Sequence, residues 1–221
     1  MSRIATIALL CLTAACSSVQ AAPKTSAAPV SPSIVVQQRA AVDSAVLQDR
    51  LAARRTLNLE RLHAYALAGE FPINDVRPGM LNVFVDKEGH ICAAANLIHL
   101  DGYKDLVKST AKKSNYIVLA NVKQGPLMDW MLTSGFTQEE IALIQEPYFM
   151  DDQVFNPEPA PAPQLTQREI EVERVRGVLL SVHKQLSANS TKSLELVAER
   201  LQSRRVLAAS FTAPRRFAVA P

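Results

Sequence analysis

The sequence predicts a mainly α (α+β) protein, with a helix-rich domain that contains a small β-hairpin and an appended C-terminal helical hairpin. Three observations support this fold class. Apolar residues recur at helical spacing over residues 34–68 and again over residues 172–201. Between these stretches, residues 81–85 alternate as in a strand and lead into a hairpin-type turn at 86–89.

The first helix is expected over residues 34–68. Asn58, a good N-cap residue, allows a break within it, and Gly69 followed by Phe71 and Pro72 ends it. Its arginines are expected on solvated faces. The apolar stripe consists of Leu47, Leu51, Leu59, Leu62 and Ala66.

Short elements are expected in the middle of the chain. The last of them opens on a capping box, in which Thr137 and Glu140 bond each other's backbone amides. After the hairpin, helices are expected at 93–100, at 103–113, at 126–132 and from 138 to Pro147.

A proline-rich stretch, Asn156 to Pro163, separates this part from a second helical region. That region has apolar residues at alternating spacings of three and four, which form a seam for another helix, either the first helix or a partner. The expected organisation is a signal peptide at 1–21, a Ser/Ala/Pro tether at 17–33, a helix-rich domain with the hairpin at 34–152, a linker at 153–163, a helical hairpin at 164–208 and a basic tail at 209–221.

The N-terminal residues have the pattern of a secretory signal. Arg3 precedes an uncharged apolar stretch from Ile4 to Ala15. As a helix this stretch would span about 18 Å, against about 30 Å for the hydrocarbon layer of a membrane. The chain is therefore expected to be exported.

The sequence allows two alternative cleavage sites for this signal peptide. Leu12-Thr13-Ala14-Ala15-Cys16 resembles the lipobox of bacterial lipoproteins, which implies lipidation of Cys16, although Thr13 stands where the strongest motif has Leu. By the same resemblance, Ser17 implies an outer-membrane anchor facing the periplasm or the surface. The alternative is plain cleavage after Ala21, which gives a soluble periplasmic or secreted protein.

Cysteine usage limits the chemistry of the mature chain. Cys11 and Cys16 belong to the leader, so Cys92 is left alone and neither an intramolecular disulfide nor a cysteine zinc site is expected. The net charge of +3 is unevenly distributed, with −5 over residues 69–152 and +5 over residues 164–221.

The middle of the chain, roughly residues 57–150, resembles a group of uncharacterised secreted, lipoprotein-like bacterial proteins. The resemblance implies a domain boundary near residue 150 and no particular activity. The residues that carry it are Phe71-Pro72-Ile73-Asn74, Phe84-Val85-Asp86, Gly89-His90-Ile91-Cys92-Ala93, Leu97-Ile98, Asp105-Leu106, Trp130, Ser134-Gly135-Phe136-Thr137-Gln138-Glu139-Glu140 and Ile144-Gln145.

Cys92 with His90 is the pair that would suggest catalysis. A cysteine at the start of a helix meets the positive end of the helix dipole, which favours the thiolate. A lone cysteine followed by three alanines is more often a small buried hydrophobic residue. No metal site or other cofactor is expected, because the sequence lacks paired histidines at helical spacing, phosphate-binding glycine loops and hydrolase motifs.

The function expected from these features is non-enzymatic: an envelope protein, attached to the membrane by its N-terminal lipid, that serves as an interaction module. The alternative is a Cys-dependent hydrolase or redox protein using Cys92. Nucleic acid is not an expected partner in this compartment. An envelope protein or an anionic surface is, through a basic C-terminal arm that comprises Arg204, Arg205, Arg215 and Arg216.

Overall fold

The computed structural model describes residues 43–150 and 166–213. Within these ranges it is a helical protein with one small antiparallel sheet, which confirms the predicted fold class. The helices are α1 (Ser44–Ala68), α2 (Ala93–Leu100), α3 (Lys104–Ser114), α4 (Pro126–Thr133), α5 (Gln138–Ile144), α6 (Gln167–Ala188), α7 (Ser190–Gln202) and α8 (Arg205–Thr212). The strands are β1 (Gly79–Leu81) and β2 (Tyr148–Met150).

Several predictions fall outside the described residues. These are the leader with Cys16, the tether at 17–33, residues 34–42 of the predicted first helix, the linker at 153–163, and Arg215 and Arg216 of the tail. No helix among the residues that the structure describes is long and apolar enough to cross a membrane.

Helix α1 is the central element of the fold. Asp43 caps its first turn through a side-chain bond to the Ala45 amide, and Gly69 ends it with a left-handed φ of 71°. The helix is continuous through Asn58, whose side chain donates to the carbonyl oxygen of Ser134 instead of capping a new helix. Helices α2, α6, α7 and α8 all pack on α1.

The apolar seam of α6 packs against α1. The first helix, and not a separate partner, is therefore the element that covers this seam. Val175, Leu179 and Leu186 are fully or almost fully buried and belong to the same core cluster as Leu62 and Trp130. Helices α6 and α7 meet at Asn189, and α7 also packs on α1. A second cluster forms there from Leu47, Leu51, Val197, Ala198, Leu201 and Ala208.

The β component is arranged differently from a simple hairpin. Strand β1 pairs with the distant β2, in the register Gly79 with Met150. Around the turn at 86–89 there is one bridge, between Val85 and Ile91. Asp86 and His90, and Cys92 and Phe84, join the two sides of this turn by backbone hydrogen bonds. On the other edge of the segment, the Asn115 side chain hydrogen-bonds the amide and the carbonyl of Val85, so a side chain takes the place of a further strand there.

The tail predicted from residue 209 begins inside a helix, because α8 extends to Thr212. The physical reason is tertiary packing: Ala208 is completely buried against the second cluster, and Leu207 and Phe211 pack at its edge. Packing of an apolar face stabilises a short helix that the local sequence alone would leave marginal.

Candidate functional site

Cys92 has the properties of a structural cysteine. It is the N-cap residue of α2, it is 1% exposed, and its Sγ accepts a hydrogen bond from the Ala95 amide at 3.4 Å. Burial raises the pKa of the Cys92 thiol to about 12, although backbone amides at the helix start act in the opposite direction. Loss of water around the thiolate therefore outweighs the helix dipole that made Cys92 a candidate nucleophile.

His90 is engaged with Asp86. Its Nδ1 lies 2.9 Å from Oδ2 of Asp86, and its backbone amide donates to Oδ1 at 2.8 Å. The amide of Ile73 is a further donor to the same carboxylate, at 3.1 Å. Since these bonds order the turn at 86–89, His90 acts there as a structural residue.

The same turn brings together three side chains of types that bind metals. One ligand atom from each of Asp86, Glu88 and His90 lies within 4.8 Å of the others. However, both oxygens of Asp86 already accept hydrogen bonds, and Glu88 is exposed on the turn. These three side chains are fewer than the four protein ligands of a structural zinc site.

We expect Cys92 in the folded protein to resist a thiol reagent at neutral pH. With a pKa of about 12 the thiolate fraction at pH 7 is roughly 10⁻⁵, against about 3% for an ordinary cysteine of pKa near 8.5. The measurement is colorimetric thiol titration of a chain that starts at Ala22, in which Cys92 is the sole thiol, with and without urea. Full reaction in urea is the control, and rapid reaction without urea would contradict the structural role.

Of the four arginines in the predicted basic C-terminal arm, Arg204 and Arg205 lie within the described residues. Arg204 Nη1 lies 3.7 Å from Oδ1 of Asp129, so part of its charge is balanced by α4. Arg205 is exposed as the first residue of α8. The two arginines thus belong to the surface of the folded unit, at the start of a helix that packs on α1.

A groove of about 1010 Å³ lies between α1, the α2–α3 corner, α4 and α8. This volume matches small-molecule sites, which typically measure about 300–1,000 Å³. Three of the apolar residues that line the groove are exposed to solvent: Leu57 is 40% exposed, Leu100 46% and Tyr103 51%. Its apolar lining consists mainly of Leu57, Leu100, Tyr103, Trp130, Leu207 and Phe211.

The floor of the groove carries a buried charged group. The Asp101 side chain is 2% exposed. One of its oxygens, Oδ1, accepts from Arg54 and, at 2.6 Å, from Arg61, and the other accepts from Trp130 Nε1 at 2.8 Å. One carboxylate thereby holds two guanidinium groups and the indole in fixed positions.

Arg50 supports the opposite wall. Its Nη1 donates to the carbonyl oxygens of Phe211, at 2.7 Å, and Ala213, at 3.0 Å. Cations stabilise the C-terminal end of a helix, where carbonyl groups lack partners. Arg50 therefore fixes the last turn of α8 as a wall of the groove.

This groove was not predicted from the sequence. Arg50, Arg54 and Arg61 were expected on solvated faces, yet their spacings of four and seven residues place them along one side of α1. This regular spacing was the feature of the sequence that could have indicated a shared arginine face on α1. Asp101 and Trp130 come from other elements, so nothing local in the sequence indicated that they join the arginines.

A second, smaller cavity of about 270 Å³ lies between α4, α5 and α7. Met128, Met131, Val197 and Arg200 contribute to its lining. Arg200 is already paired there with Glu139, at 3.3 Å. The larger groove is thus the better candidate for a binding site.

The chain matches no family model, no curated protein and no solved structure.

Proposed function

We propose that this chain is an exported cell-envelope protein, anchored by a lipid on Cys16, that works as a non-enzymatic interaction module. The observation that carries the binding role is the groove between α1, α4 and α8. Its floor and its α8 wall are held by hydrogen bonds of Asp101 and Arg50, while apolar side chains inside it remain open. A concave surface that is held in place by hydrogen bonds and leaves apolar side chains exposed is typical of a binding site.

The chemistry of Cys92 supports binding over catalysis. A nucleophilic cysteine needs a lowered pKa and access to substrate, whereas Cys92 is buried and its thiol pKa is raised. His90, its expected helper, is bonded to Asp86. The alternative of a Cys-dependent hydrolase or redox protein thus has no support from the geometry.

The leader supports export. The basic start and the short uncharged apolar stretch have the order of a secretory signal, and the lipobox-like residues end at Cys16. In this arrangement the folded unit would be exposed to the periplasm or the surface, where its groove and the exposed Arg205 could meet envelope components.

Mass spectrometry of the mature N-terminus tests the anchor. We expect a chain that begins at an acylated Cys16 and fractionates with membranes when the full gene is expressed in a Gram-negative bacterium. A Cys16→Ala variant is the control and should lose the lipid mass and the membrane association. A wild-type chain that begins unmodified at Ala22 would refute the anchor.

Thermal unfolding tests the binding role. We expect fractions of a bacterial envelope extract to raise the melting temperature of the mature chain by several degrees, since a ligand at 100 times its Kd stabilises by about 2.7 kcal/mol. Ala53→Phe, which adds bulk inside the groove, should abolish the shift. The matched control is Ala64→Phe, at another exposed position of α1 outside the groove lining.

Two outcomes would contradict the binding role in this groove. One is the absence of any shift with every fraction. The other is a shift that is the same in Ala53→Phe as in wild type, because the ligand would then bind elsewhere.

A further inference from the structure

We propose that the groove binds an amphiphilic monoanion, in which one carboxylate is joined to an apolar chain of fatty-acid type. The proposal rests on the binding role argued above and names the ligand class of the same groove. Its basis is the charge balance of the groove, the unused donors of Arg54 and the apolar walls on both sides.

The charge balance of the groove favours a negatively charged ligand. The ionised groups that line the groove are three arginines and two aspartates, which leaves a net charge of +1. Arg204 lies outside the groove lining, but its Nη1 is 3.7 Å from Oδ1 of Asp129 and offsets part of that aspartate's charge. The groove therefore carries a positive charge of at least one, which favours an anionic ligand.

The buried Asp101 carboxylate disfavours a dianionic head group. Asp101 lies on the floor between Arg54 and Arg61, and its charge repels a second negative charge brought close to them. A carboxylate carries one charge and matches the planar fork of a guanidinium group. A phosphate monoester carries close to two charges at neutral pH and would be repelled more strongly.

Arg54 is the residue best placed to hold the carboxylate. Its side chain is 20% exposed, and among the described residues its hydrogen bonding is confined to Asp101 through Nη1. A guanidinium group has five N–H donors, so most donors of Arg54 stay available to a ligand. Arg61, in contrast, also bonds Asn58 and the Leu100 carbonyl, which makes it more of a structural residue.

The apolar walls fit the chain of such a ligand. Trp130 belongs to the main core cluster, while Leu207 and Phe211 pack at the edge of the second cluster. The groove therefore lies between side chains of the two hydrophobic clusters. An aliphatic chain lying between them would cover the exposed faces of Leu57, Leu100 and Tyr103 and gain the free energy of removing them from water.

Trp130 gives a direct readout, because it is the sole tryptophan of the chain and lines the groove. The experiment titrates decanoate, below its micelle concentration, into the mature chain and follows Trp130 fluorescence and the heat of binding. We expect saturable binding of one decanoate per chain. 1-Decanol and decyl phosphate, which share the apolar chain but have a neutral and a dianionic head, should each bind about tenfold more weakly or worse.

Two pairs of variants locate the site. Arg54→Gln should weaken decanoate binding by roughly tenfold, because one charge-assisted contact is lost, and should leave 1-decanol binding unchanged. Its matched control is Arg176→Gln, which removes the same charge from a partly buried arginine of α6 outside the groove lining. Ala53→Phe should block both ligands and Ala64→Phe neither.

The proposal is overturned if the three ligands bind equally, if decyl phosphate binds more tightly than decanoate, or if Arg54→Gln and Arg176→Gln behave alike. It is also overturned if decanoate does not saturate at millimolar concentration. The last result, combined with an envelope fraction whose thermal shift is lost in Ala53→Phe, would leave the binding role intact and exclude only this ligand class.

Discussion

Replacement of Arg55 with Met is expected to lower the free energy of unfolding by about 3–5 kcal/mol, the usual cost of removing one partner from a buried ion pair. Arg55 is 2% exposed, although it lies in the middle of a helix that the sequence describes as amphipathic. Its Nη atoms pair with both oxygens of Glu140, at 2.9 and 2.7 Å. Urea denaturation followed by circular dichroism would measure the change.

The loss is large because Arg55 joins four segments. Besides Glu140, its guanidinium donates to the carbonyls of Gly135 and Leu186, at 2.9 and 2.6 Å, and to Ser190 Oγ at 3.2 Å. All five of its N–H donors are thereby used. Methionine has a similar length but no donor, so it would leave two carbonyls and a carboxylate buried without this partner.

A less buried arginine, Arg176, provides the control. Arg176→Met removes a pair with Glu173, whose carboxylate is 63% exposed, and a hydrogen bond from Nε to the Ala66 carbonyl at 3.3 Å, so it should cost less than about 2 kcal/mol. A double-mutant cycle of Arg55→Met with Glu140→Gln should give a coupling energy of about 0.5–3 kcal/mol. Similar losses for Arg55→Met and Arg176→Met would show that the buried pair does not hold α1 to α5.

Gly135→Ala is expected to lower the free energy of unfolding by about 2–5 kcal/mol. Gly135 has a φ of +84°, which costs an alanine about 1–2 kcal/mol. A Cβ here would also lie 2.7 Å from the amide nitrogen of Arg55 and 2.7 Å from the carbonyl oxygen of Leu51. These atoms belong to the backbone of α1 and cannot rotate away, so overpacking adds about 1–3 kcal/mol.

Gly102→Ala separates the two contributions. Gly102 has a φ of +94°, but a Cβ there would meet nothing within 4 Å. Only the conformational cost of about 1–2 kcal/mol should remain. Parallel thermal and urea denaturation of both variants would measure the difference, and equal losses would mean that α1 and the α4–α5 corner are not in close contact at Gly135.

Periodic and capping signals explain what could be predicted from the sequence. The leucine stripe of α1 and the seam of α6 were recognisable because a helix presents one face every 3.6 residues. The capping box of α5 was equally local, and the structure has it, with Thr137 accepting from the Glu140 amide. Such patterns depend on neighbours in the chain, so one sequence suffices to read them.

Polar side chains that replace backbone partners could not be predicted in this way. Asn115 bonds Val85 across 30 residues, and Gln145 binds the Leu119 amide across 26. In the capping box itself, Glu140 has a second role as the partner of Arg55, 85 residues away in the chain. The chemistry of these residues allows many partners, and only packing selects one.

The candidate site divides in the same way. The sequence by itself determined the helical class, the position of Cys92 and the spacing of the arginines along α1, because these follow from residue type and local spacing. Only the tertiary structure decided that Cys92 is buried, that α6 covers α1, and that Asp101 and Trp130 join Arg54 and Arg61 in one groove. The physical reason is that burial and charge pairing depend on which distant segments pack together. That packing is decided by the whole chain and not by any local stretch of it.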